Sequence, residues 1–295
     1  MTNIGVIMIF DVTPYHIFQT KKDKLIKLLL DVDTGIDDAL ALFYLAEAQK
    51  KGEIEILGST TVGGNVEVSQ TTLNTLKIWE MLELDIPVAS GAKQPLMVPL
   101  NPAPYVHGDD GLGNTFLPPP KKLPAKESAA EMILRLSHEY AGELTLLTTA
   151  PLTNIAVALL QDPDLAKRMR KVVIMGGAVF TGNVSAVAEA NIANDPEAAR
   201  IVFRSGMEMT LIGLDVTHEV YWEEQDLQEL VKINNERSAF LLQIIGFIST
   251  AYENLSGWKR CVLHDPLAAG VCLFPDLVKC EKRYVDVELN GELTR

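Results

Sequence analysis

The chain has 295 residues, 47% of them hydrophobic and 22% charged, which is enough apolar material for one large domain with a full core. Its formal net charge of −13 argues against a nucleic-acid partner and an anionic membrane surface, because both need clustered Lys and Arg. No stretch approaches the roughly 20 apolar residues of a membrane span. Cys261, Cys272 and Cys280 show no metal-binding or CxxC spacing, which is typical of a reducing cytoplasm.

From residue 28 onward, apolar strands alternate with helical patterns. The predicted strands are Leu28–Val32, Ile54–Val62, Leu144–Thr149, Lys171–Met175 and Met209–Val216. The predicted helices that follow most of them are Asp38–Gln49, Ser69–Leu82, Leu152–Leu160 and Pro196–Ser205. This alternation predicts an α/β fold with a mostly parallel central sheet and helices on both faces. Such sheets bind ligands beyond the carboxyl ends of their strands, so we expect the active site there.

Two segments interrupt the alternation. Residues 95–124 are rich in proline and hold the glycine-rich run Gly108–Gly113. A loop this long inside a compact domain is usually functional or mobile. Residues 222–256 form an amphipathic helical pattern, which we expect to pack beside the site as a cap.

Four carboxylates crowd the turn after the first predicted strand, in the run Asp31-Val32-Asp33-Thr34-Gly35-Ile36-Asp37-Asp38. At neutral pH they repel one another unless a cation lies among them or some stay protonated. An oxygen-rich cluster of this kind suits a hard cation such as Ca²⁺. In the alternative, Asp37 and Asp38 only complement a helix dipole, which leaves Asp31 and Asp33 unexplained. The turn therefore predicts a metal site.

Polar residues also follow the other predicted strands or open a helix. These stretches are Thr60–Asn65, Thr148–Asn154, Met175–Asn191 and His264-Asp265-Pro266. Each alone is ordinary turn or cap chemistry. Because most fall at strand-to-helix junctions of one sheet, we expect them to converge on the aspartate turn.

These blocks resemble the calcium-dependent nucleoside hydrolases, specifically the inosine–uridine-preferring group. The resemblance is carried by DVDTGIDD, GNVEVSQTTLN, APLTNIAVAL, MGGAVFTGNVSAVAEANIANDPEAA, HDPLAA and the final VELNGELTR. It implies the Rossmann-like fold of that family over residues 27–295 as a single domain, with residues 1–26 as an N-terminal extension. The family continues past the position of Arg295, so the resemblance also implies a domain truncated at its C-terminus.

The resemblance implies a Ca²⁺ ion held by the carboxylates of Asp33, Asp38 and Asp265 and by the backbone carbonyl of Thr149. Asp33 would also act as general base on a calcium-bound water, and His264 would assist the departing nucleobase. The residues implied to bind the ribose are Asp37, Asn65, His107, Asn183, Glu189 and Asn191, with His107 on a mobile flap.

The implied reaction is hydrolysis of the N-glycosidic bond of ribonucleosides to ribose and free base, in cytoplasmic purine or pyrimidine salvage. The small-molecule nucleoside is the expected partner, and a homodimer or homotetramer is expected from the family. The choice between purine and pyrimidine stays open. Tyr252 and Trp258 are candidates for stacking on the base, although core packing explains them equally well.

Two other functions remain open. The first is a Mg²⁺-dependent phosphatase of the haloacid dehalogenase type, which also has an Asp-x-Asp at a strand end. In that motif a threonine comes after one further residue, whereas Thr34 follows Asp33 directly. The second is a nucleoside- or ribose-binding protein without turnover, against which the presence of both Asp33 and His264 argues.

Overall fold

The structure is a computed structural model that describes residues 5–8 and 25–291, with the side chains of residues 5–8 left out of the description. Its strands are β1 (Gly5–Met8), β2 (Ile26–Val32), β3 (Ile54–Thr61), β4 (Val88–Ser90), β5 (Leu144–Thr148), β6 (Lys171–Met175), β7 (Met209–Ile212), β8 (Tyr221–Trp222), β9 (Cys261–Val262) and β10 (Cys280–Arg283). Its helices are α1 (Ile36–Lys50), α2 (Val68–Met81), α3 (Pro104–His107), α4 (Ala129–Glu139), α5 (Thr153–Gln161), α6 (Leu165–Arg168), α7 (Ala190–Asn194), α8 (Pro196–Phe203), α9 (Leu214–Thr217), α10 (Gln228–Ile233), α11 (Glu236–Ser256) and α12 (His264–Leu273). Short 3-10 turns cover Glu224–Leu227 and Pro275–Leu277.

Across the described ranges, eight strands form one sheet in the order β10-β1-β7-β6-β5-β2-β3-β4. All neighbours in it are parallel except β1 and β10, which are antiparallel. Strands β8 and β9 form a separate antiparallel ribbon. The expectation of a mostly parallel sheet is therefore confirmed.

The two faces of the sheet carry different helices. Successive side chains of a strand point to opposite faces of the sheet. In β2, Leu28 and Leu30 pack with α1, α11 and α12 on one face. Leu29 packs with α4, α5 and α8 on the other face. All three leucines are fully buried. The sheet is thus covered by helices on both faces, which is why its central strands are almost continuously apolar.

The register of the central strands places polar residues side by side at one edge. Asp31 of β2 pairs with Thr60 of β3 on one side and with Thr148 of β5 on the other. All three lie at or next to the carboxyl ends of their strands. The aspartate turn that follows β2 therefore lies at the carboxyl edge of the sheet.

The predicted strand Met209–Val216 is too long. Strand β7 ends at Ile212, and the next residues turn into the short helix α9. The carbonyl of Gly213 accepts hydrogen bonds from the backbone N–H groups of Val216 and Thr217, which closes a helical turn over residues that read as apolar and extended. An apolar run alone does not distinguish a strand from a buried helix.

Helix α4 was not predicted, although its N-terminus carries a capping box. The hydroxyl of Ser128 accepts a hydrogen bond from the backbone N–H of Glu131, and the Glu131 carboxylate accepts one from the backbone N–H of Ser128. This reciprocal pair is a recognised start signal.

The two interrupting segments differ in structure. Residues 95–124 contain α3 and otherwise no helix or strand, whereas residues 222–256 contain α10 and the long helix α11. Helix α11 packs into the main core through Ile244, Ile245 and Ile248. Of residues 1–26, the strand Gly5–Met8 lies between β7 and β10, and residues 1–4 and 9–24 lie outside the described residues. Within the described ranges, every helix is too short or too polar to cross a bilayer.

Candidate active site

Three buried carboxylates meet at the carboxyl edge of the sheet. Asp37 and Asp38 lie in the first turn of α1, Asp265 lies in the first turn of α12, and oxygen atoms from all three lie within 4.8 Å of one another. Helices α1 and α12 pack together in the main core, and this contact brings the distant Asp265 to the turn after β2.

Asp33 lies in the same turn, held by the loop that follows the neighbouring strand β3. Its Oδ2 accepts a hydrogen bond of 2.7 Å from the backbone N–H of Asn65, while its Oδ1 is buried without a hydrogen-bond partner. A Cβ atom added to Gly64 would lie 1.9 Å from Oδ2. Only glycine at residue 64 therefore leaves room for the Asp33 carboxylate in this position.

Asp38 is the most completely hydrogen-bonded of the four carboxylates. Its Oδ2 accepts from the backbone N–H of Gly35 at 2.9 Å and from Nδ2 of Asn65 at 3.3 Å. Its Oδ1 accepts from the hydroxyl of Thr149 at 2.7 Å, across 111 residues of sequence. The carbonyl of Thr149, in turn, accepts a hydrogen bond of 3.0 Å from Nδ2 of Asn191.

Burial raises the pKa of every carboxyl in this group. The pKa of Asp37 rises to about 6 and that of Asp38 to about 7, mainly because burial disfavours the charged form. For Asp33 and Asp265, burial and the neighbouring aspartates together hold the pKa well above its usual value. A cation among these groups would stabilise the charged forms, since it supplies the missing positive charge.

Two buried oxygen atoms support such a site directly. Oδ1 of Asp33 and Oδ1 of Asp37 are both buried and accept no hydrogen bond. An unpartnered buried acceptor is costly unless a donor or a cation satisfies it. The donor set, which consists of oxygen atoms alone, fits a hard divalent cation.

The predicted metal ligands and the observed cluster overlap without being identical. The group within 4.8 Å contains Asp38 and Asp265, as expected, but its third member is Asp37 instead of Asp33. Asp37 was expected to bind the ribose. Ribose binding by Asp37 stays a prediction.

His107 approaches the aspartate turn from the long proline-rich loop. Its Nδ1 accepts a hydrogen bond of 3.2 Å from the backbone N–H of Ile36 and lies 3.8 Å from Oδ1 of Asp37. Burial lowers the pKa of His107 to about 4, so the ring is neutral at pH 7. Because Nδ1 accepts, the proton of the neutral ring is on Nε2.

Glu189 and Asn191 flank the start of α7. Glu189 is buried, its carboxylate accepts hydrogen bonds from the backbone N–H groups of Gly177, Asn191 and Ile192, and burial raises its pKa. The charge of Asp37 also raises that pKa, which places Glu189 in the electrostatic field of the aspartate cluster.

Asn183 lies farther out than the other predicted ribose ligands. It is exposed, on the loop between β6 and α7, and its Oδ1 accepts a hydrogen bond of 2.9 Å from the backbone N–H of Ala190. It therefore reaches the site only through the residue that follows Glu189.

His264 is buried beside Asp265 and both of its ring nitrogens are engaged. Nε2 lies 2.7 Å from the hydroxyl of Tyr252, and Nδ1 lies 2.7 Å from the hydroxyl of Thr217. Burial lowers the pKa of His264 to about 3, with smaller effects from His218, His107 and Arg260. In this structure His264 is thus neutral at pH 7, and it can donate a hydrogen bond but is not an imidazolium acid.

Several residues that support the site were not predicted as catalytic, binding or metal-ligating residues. Asp31 accepts hydrogen bonds at Oδ1 from the Thr60 hydroxyl at 2.6 Å and from Nδ2 of Asn154 at 2.8 Å. Thr217 was not singled out either, and Tyr252 was considered only for stacking or packing. Asp31 and Asn154 lie within motifs already recognised, whereas no local pattern marks Thr217 as a partner of His264.

A cavity of about 160 Å³ borders the site on the side of Glu189. Ile192, Leu211 and Val285 contribute to its mostly apolar lining, and the lining includes none of the four aspartates discussed above. It is therefore not the space in which a cation would meet those carboxylates.

A mostly parallel α/β sheet with buried carboxylates at its carboxyl edge is typical of enzymes that bind small molecules at that edge. The family model of the inosine-uridine preferring nucleoside hydrolases matches residues 28–295. The chain belongs to this family, and is therefore a nucleoside hydrolase, which cleaves ribonucleosides to ribose and free base. The family is metal-dependent, and the group Asp37, Asp38 and Asp265 could hold the ion.

Individual relatives agree with this assignment. The chain is 40% identical to uridine nucleosidase 1 of Arabidopsis thaliana, over 90% of this chain and 79% of that protein. It is 39% identical to the inosine-uridine preferring nucleoside hydrolase of Leishmania major, over 91% of this chain and 85% of that protein. A purine-preferring ribonucleoside hydrolase structure from Gardnerella vaginalis superposes with a TM-score of 0.86 at 35% identity, over 91% of this chain and 86% of the other. The family assignment argues against a haloacid dehalogenase-type phosphatase.

Proposed function

We propose that this enzyme is a Ca²⁺-dependent ribonucleoside hydrolase in which Asp33 activates the attacking water. One observation carries the proposal: Oδ1 of Asp33 is a buried, unpartnered acceptor beside three carboxylates whose oxygen atoms lie within 4.8 Å of one another. The proposed protein ligands are the carboxylates of Asp33, Asp38 and Asp265 and the carbonyl of Thr149. Asp37 lies close enough to Asp38 and Asp265 to join them.

A bound Ca²⁺ would orient the ribose hydroxyls and the attacking water and would lower the pKa of that water. Asp33 accepts the proton of the water at Oδ1, because Oδ2 is already held by the backbone N–H of Asn65. The water oxygen bonds to C1′ of the ribose while the bond from C1′ to the base nitrogen breaks. The electron pair of that bond leaves with the base, which then takes up a proton.

The charge of the pocket suits this reaction. Breaking an N-glycosidic bond builds positive charge on the sugar, as in other glycoside hydrolyses. Buried carboxylates such as Asp37 and Glu189 stabilise that charge in a site from which water is largely excluded. We propose that Asp37, Asn65, His107, Asn183, Glu189 and Asn191 bind the ribose.

At the base end, His264 acts as a neutral hydrogen-bond donor. Its low pKa leaves one ring proton, shared with Tyr252 or Thr217 at 2.7 Å. The proton reaches the leaving base from His264 or through the Tyr252 hydroxyl. A hydrogen-bonded pair of this kind can pass a proton without first storing a positive charge in a buried ring.

The remaining features of the enzyme are also proposals. We infer that residues 27–295 act as a single domain after an extension of residues 1–26, and that the enzyme works in cytoplasmic nucleoside salvage. We also infer a homodimer or homotetramer, which sedimentation equilibrium would test. The matched relatives include a pyrimidine-specific and a purine-preferring hydrolase by name, so both kinds of base belong in the test.

The decisive experiment measures ribose release from inosine, uridine, cytidine and adenosine, before and after chelation and after Ca²⁺ is added back. Hydrolysis that is lost on chelation and restored by Ca²⁺ supports the proposal. Restoration by Mg²⁺ alone would contradict the calcium assignment. A folded enzyme that binds nucleoside but releases no ribose would favour the alternative of a binding protein without turnover.

A matched substrate pair tests the role of the ribose diol. If the metal and the carboxylates bind both hydroxyls, 2′-deoxyuridine should be hydrolysed much more slowly than uridine. Equal rates on the two substrates would contradict binding through the diol.

A further inference from the structure

Arg260, next to the proposed base end of the site, contacts two aromatic rings but no carboxylate within the described ranges. It makes no hydrogen bond or ion pair with any residue in the described ranges, and its Nε is buried without an acceptor. Its guanidinium carbon lies 4.9 Å from the ring centre of Tyr221 and 5.0 Å from that of Trp258. An unpaired arginine is unexpected in a chain with a net charge of −13, where carboxylates outnumber cations.

The fold places Arg260 near the catalytic histidine. Tyr221 pairs with Val262 in the ribbon of β8 and β9. Arg260 precedes Val262 by two residues, so the side chains of Arg260 and Tyr221 lie on the same side of the ribbon. His264 follows Val262 by two residues. The positive charge of Arg260 acts to lower the pKa values of His264, His218 and Tyr252, so these three side chains lie in its electrostatic field. Burial is the larger effect on all three: it also lowers the pKa of the two histidines, and it raises the pKa of Tyr252.

The two aromatic rings hold the guanidinium by its face. Arginine stacks on aromatic faces, and its N–H donors then point outward in the plane of the group. Trp258 is 63% exposed, so this packing occurs at the protein surface. The guanidinium of Arg260 is thus oriented before a ligand binds, and its N–H groups remain able to donate hydrogen bonds.

We propose that Arg260 binds the carbonyl-bearing edge of the nucleobase and makes the enzyme favour 6-oxopurine nucleosides over adenosine. The inference rests on the proposed function, since it places the base next to His264. A 6-oxopurine offers two adjacent acceptors, O6 and N7, which match the two parallel donors of a guanidinium. Adenine offers a donor amino group in place of O6, and the two carbonyls of uracil are not adjacent, because the N3–H donor lies between them.

The same contact assists departure of the base. The electron pair of the broken bond spreads over the leaving purine and increases the negative charge on O6 and N7. Donors aimed at that developing charge stabilise the transition state more than the ground state. Arg260 keeps its proton throughout, so the bond changes are those already described.

The test compares Arg260→Lys and Arg260→Met with the wild-type enzyme. Lysine retains the charge but loses the paired donors, and methionine loses both. We expect kcat/KM for inosine to fall by roughly 10- to 100-fold in both variants, as for loss of one bidentate base contact. Uridine should lose less, and adenosine and purine riboside should change by less than about threefold, since adenine and purine lack the O6 acceptor beside N7.

Two further variants control for folding. Arg135→Lys alters an exposed arginine of α4 that pairs with Glu127, and should leave all four substrates unchanged. Trp258→Ala keeps Arg260 but removes one of its supporting rings, and should reproduce the inosine-selective loss in weaker form. Equal losses on inosine and purine riboside, or no loss on inosine, would overturn the role of Arg260.

Binding of free bases separates this inference from the proposed function. Calorimetry should show weaker binding of hypoxanthine to Arg260→Lys than to wild type, by a similar factor, with adenine unaffected. If the wild-type enzyme cleaves no nucleoside, the proposed function fails while the base-binding result still decides about Arg260. Unchanged hypoxanthine binding would overturn the inference even in an active enzyme.

Discussion

Nδ1 of His107 accepts a hydrogen bond of 3.2 Å from the backbone N–H of Ile36, the first residue of helix α1. Gly35, the residue before it, has no side chain that could cap the helix. A Cβ atom on Gly35 would lie 2.6 Å from the same Nδ1. A histidine from the proline-rich loop therefore satisfies a free N–H of the helix that carries Asp37 and Asp38.

This contact predicts a double effect of His107→Ala. Loss of the acceptor should lower the free energy of unfolding by about 1 kcal/mol, as for other helix caps, and should lower kcat/KM because the loop loses its anchor. His107→Asn, which retains an acceptor, should recover part of the stability. Urea denaturation and steady-state kinetics would measure both. An unchanged midpoint in His107→Ala would show that the contact does not stabilise the helix.

Gly64→Ala should damage the active site more than the fold. The added Cβ would lie 1.9 Å from Oδ2 of Asp33, so the carboxylate must move. We expect kcat to fall by at least about 100-fold, with a stability loss of roughly 1–3 kcal/mol. Gly246→Ala is the matched control, since a Cβ there meets nothing within 4 Å. Full activity in Gly64→Ala would contradict the assigned position of Asp33.

Asp33→Asn tests the general base. The amide keeps the shape of the carboxylate but cannot accept the proton of the water, so kcat should fall by about 10²- to 10⁴-fold. Nucleoside binding, measured by calorimetry at saturating Ca²⁺, should fall much less, because Asp38, Asp265 and Thr149 remain as proposed ligands of the ion. Asp109→Asn, at an exposed position of the long loop, is the control. If Asp33→Asn abolished binding but retained turnover of whatever bound, the base would have to be another residue.

Calcium affinity should rise with pH. The pKa values of about 6 for Asp37 and about 7 for Asp38 mean that protons occupy these carboxyls below neutrality and compete with the cation. The apparent dissociation constant for Ca²⁺ should therefore fall between pH 5 and pH 8, and binding should release more protons at pH 6 than at pH 8. Calorimetry in buffers of different ionisation enthalpy would count them. Binding without pH dependence would contradict this arrangement.

The same shifts set the sign of the metal-free stability profile. A carboxyl whose pKa is raised on folding binds more protons in the folded state than in the unfolded state. Its contribution to the free energy of unfolding is therefore retained near pH 4 and lost as the pH rises through the pKa of the folded state. His107 and His264 act in the opposite sense below about pH 6.5, because burial lowers their pKa values. The decline in the stability of the metal-free protein with rising pH should thus be clearest between pH 6.5 and 8, and bound Ca²⁺ should reduce this decline.

Asp31 and Asn154 form a buried pair that a charge swap can test. Asn154→Asp would place a second carboxylate where an amide now donates to Asp31 at 2.8 Å, and should cost about 2–4 kcal/mol. The double variant Asp31→Asn, Asn154→Asp should be more stable than the sum of the single variants predicts, by at least about 1 kcal/mol. Rescue should be partial, because Asn154 also donates to the carbonyl of Thr61. Strict additivity in urea denaturation would mean that the two side chains are not coupled.

Some features could be predicted because they depend on neighbours in the chain. The strand Lys171–Met175 was predicted with its observed bounds, since a short apolar run between polar turns is a local pattern. The aspartate turn was placed correctly at a strand end for the same reason. Strand β7 was predicted too long, because an apolar sequence does not show where an extended chain turns into a helix.

The sequence by itself determined the layered α/β fold and the crowding of Asp31, Asp33, Asp37 and Asp38 in one turn, since alternation and spacing act over a few residues. Only the tertiary structure decided that Asp37 lies with Asp38 and Asp265, that His107 caps α1, and that Arg260 makes no hydrogen bond or ion pair within the described ranges. These contacts depend on strand order and on the packing of helices far apart in the chain. Local preference cannot encode them, because each requires two distant segments to be buried against each other.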